Sequence, residues 1–137
     1  LHIKYQNHQL KRWKREKKRM YQPLPSCITI KQSEIHGLGL FAVEDIPKDT
    51  NLGVAHIKIP HSEDIFPQGF CRTPLGGFYN HSSNPNCYLK TRLHYFCNPK
   101  SNVRLTTILL ELFTVEFIAK DEELTCKYML YEIKDAN

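Results

Sequence analysis

The sequence predicts a mainly β protein of several short strands with few and short helices. Three observations carry that expectation. From Cys27 onward apolar residues recur with a period of two, beginning where Ile28 and Ile30 alternate with Cys27, Thr29 and Lys31. Two longer runs of the same kind, Cys87–Cys97 and Val103–Phe117, flank the turn-forming residues Asn98-Pro99-Lys100-Ser101-Asn102 and read as a hairpin. Between residues 60 and 77, Pro60, Pro67, Gly69, Pro74, Gly76 and Gly77 break any long element.

A chain of 137 residues accommodates one domain with a modest core. With 41% hydrophobic and 24% charged residues, and no apolar run near the roughly 20 residues that span a bilayer, it reads as a soluble globular protein without membrane contact. No charged-then-apolar leader is visible. The cysteines, at 27, 71, 87, 97 and 126, form no C-x-x-C pair and have no His-x-His companion. They are read as buried free thiols rather than metal ligands, which favours a reducing, intracellular compartment, nuclear or cytoplasmic.

The formal charge of +5 is unevenly spread. Residues 1–20 carry eight basic groups against Glu16 alone, a net of +7, so the remainder of the chain is slightly acidic. Such an arm suits nucleic acid or an acidic protein face, and equally a solvated tail. Gln9–Tyr21 lacks Gly and Pro and would place Leu10, Trp13 and Met20 on one stripe of a helix. Pro23 and Pro25 must end that helix, so residues 1–22 are read as a basic arm and 23–137 as the folded domain.

Within the domain, a first strand at Cys27–Lys31 is followed by Gly37-Leu38-Gly39-Leu40-Phe41-Ala42, where two glycines precede an apolar run and permit a tight turn with close approach of a ligand. Asp45-Ile46-Pro47-Lys48-Asp49 is a turn before a strand at Thr50–Ile59. The segment 60–77 is read as a compact loop or one short helix anchored by Ile65, Phe66 and Phe70. In the hairpin, the apolar residues of the first strand (Cys87, Leu89, Leu93, Tyr95, Cys97) and of the second (Val103, Leu105, Leu109, Phe113, Val115, Phe117) all occupy odd positions. Ala119-Lys120-Asp121-Glu122 turns the chain into a last strand, Leu124–Tyr128.

One stretch does not fit this pattern. Asn80-His81-Ser82-Ser83-Asn84-Pro85-Asn86 is too polar for a core strand, yet apolar runs flank it. Its natural partner is Glu122-Glu123-Leu124-Thr125-Cys126-Lys127-Tyr128, a short strand ending on a tyrosine. Taken singly, Tyr128 could pack an edge, His81 could be a satisfied buried histidine, and the glycines could be plain turn residues.

In order, Gly37-Leu38-Gly39-Leu40-Phe41-Ala42, Ile46-Pro47-Lys48, Asn80-His81-Ser82 with Pro85-Asn86-Cys87, and Glu122-Glu123-Leu124-Thr125 with Tyr128 resemble the SET-domain protein-lysine methyltransferases over roughly Cys27–Tyr131. The resemblance implies a fold of several small antiparallel sheets with a C-terminal pseudoknot, in which the Asn-His-Ser segment threads a loop closed by the last strand. It implies an enzyme that transfers methyl groups from S-adenosylmethionine to a lysine of a protein substrate. Gly37, Leu38 and Gly39 would pack against the cofactor, and Asn80 and His81 would hold it by side-chain and main-chain hydrogen bonds. Tyr128 would be the catalytic residue, and Tyr79, Tyr88 and Tyr131 are the candidate walls of the lysine channel. Asp49 and Asp121 stand where glycine is usual, and Cys126 where an aromatic is frequent. Zinc-binding flanks are absent and the insert at 52–76 is short, so the resemblance is to a minimal SET domain. The rival reading is a catalytically silent SET-like module that binds protein or nucleic acid through its basic arm.

Overall fold

The computed structural model describes residues 22–128. Residues 1–21 of the basic arm and Tyr131 lie outside the described residues. Among the described residues no helix is long and apolar enough to cross a membrane.

Among the described residues eight strands form two four-stranded sheets. Strands β1 (Ile28–Gln32) and β2 (Leu38–Ala42) pair in antiparallel register, Ile30 opposite Leu40. Strand β3 (Asn51–Lys58) joins β4 (Phe70–Arg72), a short helix α1 (Pro74–Phe78) follows, and β5 is Asn80–His81 alone. The hairpin strands are β6 (Cys87–Asn98) and β7 (Val103–Thr114), and β8 is Glu123–Cys126. The first sheet runs β1-β2-β8-β5 and the second β4-β3-β7-β6. All pairings are antiparallel except that of β5 with β8.

The core lies where the sheets meet. Leu40 of β2, Leu112 of β7 and Leu124 of β8 are fully buried, each contributing about 1.5–3 kcal/mol of transfer free energy. Ile46 and Ile118, both buried, form an isolated antiparallel bridge outside the strands, each donating its N–H to the other's carbonyl at 2.8 and 2.9 Å. The expected turn at 45–49 is therefore also a point of backbone pairing.

Two expectations are corrected here. The segment 60–77 holds a 3-10 turn (Pro67–Gly69) and β4 as well as a helix. A three-residue strand is too short to show a period, and β4 is defined by pairing with β3 instead. In β7 the even face carries most of the core, with Leu110, Leu112 and Thr114 buried; of the expected odd residues Leu109 is buried, while Val103 and Leu105 are exposed. The cause is the hairpin register. Leu89 lies opposite Leu112 and Leu93 opposite Ile108, so odd positions of β6 share a face with even positions of β7. The strand also stops at Thr114, leaving Val115 and Phe117 exposed. The buried Thr114 hydroxyl accepts the Thr50 N–H at 2.9 Å and donates to the Pro47 carbonyl at 2.7 Å.

Asp49 and Asp121 both adopt left-handed backbone, with φ of 60° and 73°. Glycine suits that region best and aspartate tolerates it, which accounts for the turn-compatible substitutions noted above.

Candidate active site

The polar stretch 80–86 and the strand ending at Tyr128 lie side by side. Asn80 pairs with Thr125 and His81 with Cys126 in parallel register. The pairing is short, and the polar side chains extend it. Asn86 Nδ2 donates to the Glu123 carbonyl at 2.8 Å, and its Oδ1 accepts the Thr125 N–H at 2.8 Å, so one side chain closes two backbone bonds of β8. His81 Nδ1 accepts the Tyr128 N–H at 2.9 Å, which places the proton of that ring on Nε2. The rings of His81 and Tyr128 lie 5.1 Å apart.

Asn80 is 4% exposed and its amide nitrogen reaches the carbonyls of His36 (3.1 Å) and Leu38 (3.3 Å) and Glu123 Oε1 (2.9 Å). Its protons are thus directed to the glycine turn and to β8. A Cβ at Gly39 would run into the Glu123 carboxylate and come within 3.1 Å of the Asn80 amide. Gly39 is therefore required by protein packing. Gly37, at φ +48°, has open space where a side chain would stand. Leu38 is half exposed beside it.

Tyr128 and Tyr79, with ring centroids 5.9 Å apart, wall a cavity of about 150 Å³ together with Arg72, Gly76 and Gly77. Helix α1 delivers this wall. Thr73 caps it, its hydroxyl accepting the Gly76 N–H at 3.3 Å, and Tyr79 follows as the extended residue at its C-terminus. Behind Tyr79, the fully buried His56 of β3 places Nε2 3.0 Å from the Tyr79 hydroxyl. Burial, reinforced by the Arg72 guanidinium, pushes the His56 pKa down to about 4. Cys126, beneath the site, is 1% exposed, and burial raises its thiol to about 11.

Tyr88 is placed elsewhere. It stacks on Phe113 at 5.5 Å and does not line the cavity of Tyr79 and Tyr128. A larger cavity, about 450 Å³, lies between residues 22–25 and β3 and contains none of the candidate residues.

The SET-domain family profile matches residues 64–129. The fold is similar to the crystal structure of a proposed histone methyltransferase of Plasmodium falciparum, with a TM-score of 0.53 and 25% identity over 74% of this chain and 96% of that one. Both findings support a SET-domain protein. No curated protein matches it significantly. The two similarities support a methyltransferase family.

Around this cavity, sequence reasoning brought together Tyr79, Asn80, His81 and Tyr128 and missed Arg72 and His56. Arg72 had no motif around it. His56 was hidden by bulges in β3, where the register to β7 shifts between Asn51 and Gly53 and again between Val54 and His56. The second shift turns both Ala55 and His56 inward, which strict alternation forbids. The usable signal was Gly53 inside a strand, a common mark of a bulge.

Proposed function

We propose that this SET domain transfers methyl groups from S-adenosylmethionine to a lysine side chain of a protein substrate. The carrying observation is the convergence of Tyr128, Tyr79 and Arg72 on one small cavity, with His81 holding the Tyr128 backbone from behind. The parallel pairing of β5 with β8 supports the threaded arrangement that the family resemblance implies.

The residues present fit the cofactor. The open side of Gly37 and the exposed Leu38 leave an accessible shelf beside Asn80–His81, and the Asn80 amide fixes the carbonyls of His36 and Leu38 that shape it. Asn80 thus shapes the shelf rather than spending its amide protons on a ligand. The bound cofactor supplies an electrophilic methyl group on a sulfonium. This chain's residues supply position and environment. The Tyr128 hydroxyl and neighbouring carbonyls orient the amine toward the methyl, and such positioning accounts for several kcal/mol of barrier. A lysine amine, ordinarily near pKa 10.4, must reach the site neutral. Desolvation in the cavity and the positive Arg72 both favour that form.

The test is incorporation of labelled methyl groups into a library of lysine-containing peptides. Tyr128→Phe should abolish most transfer while leaving the fold and cofactor binding, measured by calorimetry, intact. Undiminished transfer by that variant refutes the role of Tyr128. A wild-type protein that neither binds cofactor nor modifies any peptide refutes the enzyme reading. The +7 charge of residues 1–20 favours a second role for that arm, contact with nucleic acid or an acidic protein face. Its deletion should weaken such binding and its salt dependence without lowering peptide methylation.

A further inference from the structure

Among the described residues, His56 Nδ1 is the buried side-chain nitrogen or oxygen without a hydrogen-bond partner. His56 is fully buried on the inward turn of the β3 bulge. A polar atom buried without a protein partner costs more than a single hydrogen bond returns. Stability does not account for an imidazole where leucine or phenylalanine would pack.

The ring's other nitrogen meets the Tyr79 hydroxyl at 3.0 Å, with the two rings edge to face at 81°. Space for the ring depends on Gly76, since a Cβ there would collide with the Ala55 carbonyl and stand 3.2 Å from His56 Cε1. Gly76 and Tyr79 both line the cavity that Tyr128 faces, and Arg72, directly opposite His56 in the β3–β4 register, lines it too. Every close neighbour of His56 named here belongs to the wall of the site.

We infer that His56 is a positioning residue for this site: its ring fixes the Tyr79 hydroxyl and thereby the wall of the cavity opposite Tyr128. The inference rests on the transfer reaction proposed above. A bare Nδ1 is less costly to bury than an unpaired N–H, so Nε2 carries the ring proton and donates to Tyr79. The Tyr79 hydroxyl accepts that bond, which sets the direction in which its own proton can point. The low pKa keeps the ring uncharged at neutral pH, so it adds no second cation beside Arg72.

A double-mutant cycle tests this. His56→Phe and Tyr79→Phe should each lower kcat by about tenfold or more, the scale expected from misplacing a reacting group, without changing the cofactor Kd. The double variant should fall no further than either single. His56→Gln, whose amide can still bond the Tyr79 hydroxyl, should recover most of the rate. Nitrogen-detected NMR of the wild type should show His56 with its proton on Nε2 at neutral pH. The inference is overturned by a wild-type kcat in His56→Phe, by losses that multiply in the double variant, or by an Nδ1-protonated ring. If His56→Phe does not fold, Tyr79→Phe and His56→Gln decide, and a wild-type kcat in Tyr79→Phe overturns the inference. Wild-type protein inactive on every peptide refutes the transferase reading itself, an outcome distinct from an active wild type with indifferent His56 variants.

Discussion

A histidine buried as His56 is makes the fold sensitive to mild acid. Its folded pKa, about 4, lies below the 6.5 of an exposed histidine, so the unfolded chain takes up the proton first. The stabilisation from keeping the ring neutral is complete above pH 6.5 and is lost as pH falls from 6.5 toward 4. At about 1.36 kcal/mol per pKa unit the full window is worth at most about 3 kcal/mol, of which roughly 2 fall between pH 7 and 5. Solvent penetration around a charged ring reduces that interval to about 1–2 kcal/mol. The groups facing the ring do not obscure the effect. They are the Arg72 guanidinium on β4, the Tyr79 hydroxyl from the end of α1, and the apolar side chain of Leu110 opposite on β7. Urea unfolding of wild type and His56→Gln at pH 7 and pH 5 isolates the contribution, because carboxylates elsewhere titrate equally in both. The wild type should lose about 1–2 kcal/mol more than the variant over that interval. Equal acid losses in the two proteins would refute the reasoning.

Three further outcomes follow from the geometry. Gly39→Ala should destabilise by about 1–3 kcal/mol, because the added methyl displaces the Glu123 carboxylate and the Asn80 amide; unchanged denaturant midpoints would show that Glu123 swings aside without cost. Asn86→Ala removes two backbone-directed bonds at 2.8 Å and should lower stability by about 2–3 kcal/mol, with hydrogen exchange at Thr125 accelerated most. Asp49→Gly should stabilise by up to about 1 kcal/mol, since the left-handed backbone at φ 60° suits glycine, and a fall in melting temperature would contradict it.

The strands of the hairpin, the β1–β2 pair and the adjacency of residues 80–86 to Tyr128 were legible because each rests on a period, a turn or a motif. What was not legible depends on register. The face of β7 is set by pairing with β6, and the inward turn of His56 by a bulge in β3. Strand β5 has only two residues and is held by neighbours distant in sequence. The site was legible in its motif residues, whereas its walls are not local in sequence. Arg72 reaches the cavity through pairing with β3, and Tyr88, although only nine residues beyond Tyr79, turns to stack on Phe113.

The polarity of residues 80–86 has a mechanical explanation. Strand β8 has four residues and pairs with β2 and with β5 over two residues each. So short a ladder fixes a strand end weakly. Asn80, His81 and Asn86 make up the deficit, each bonding main-chain groups of another segment: the glycine turn for Asn80, the Tyr128 N–H for His81, and Glu123 and Thr125 for Asn86. Each bond contributes about 1 kcal/mol to stability, less than the burial of any one of Leu40, Leu112 and Leu124. Their larger effect is on position. They determine where Tyr128 stands relative to Tyr79 and to the shelf beside Gly37, and displacements on the order of 1 Å at a reacting centre cost about a hundredfold in rate. The apolar core therefore decides whether the domain folds, and the polar stretch decides whether the folded domain can work.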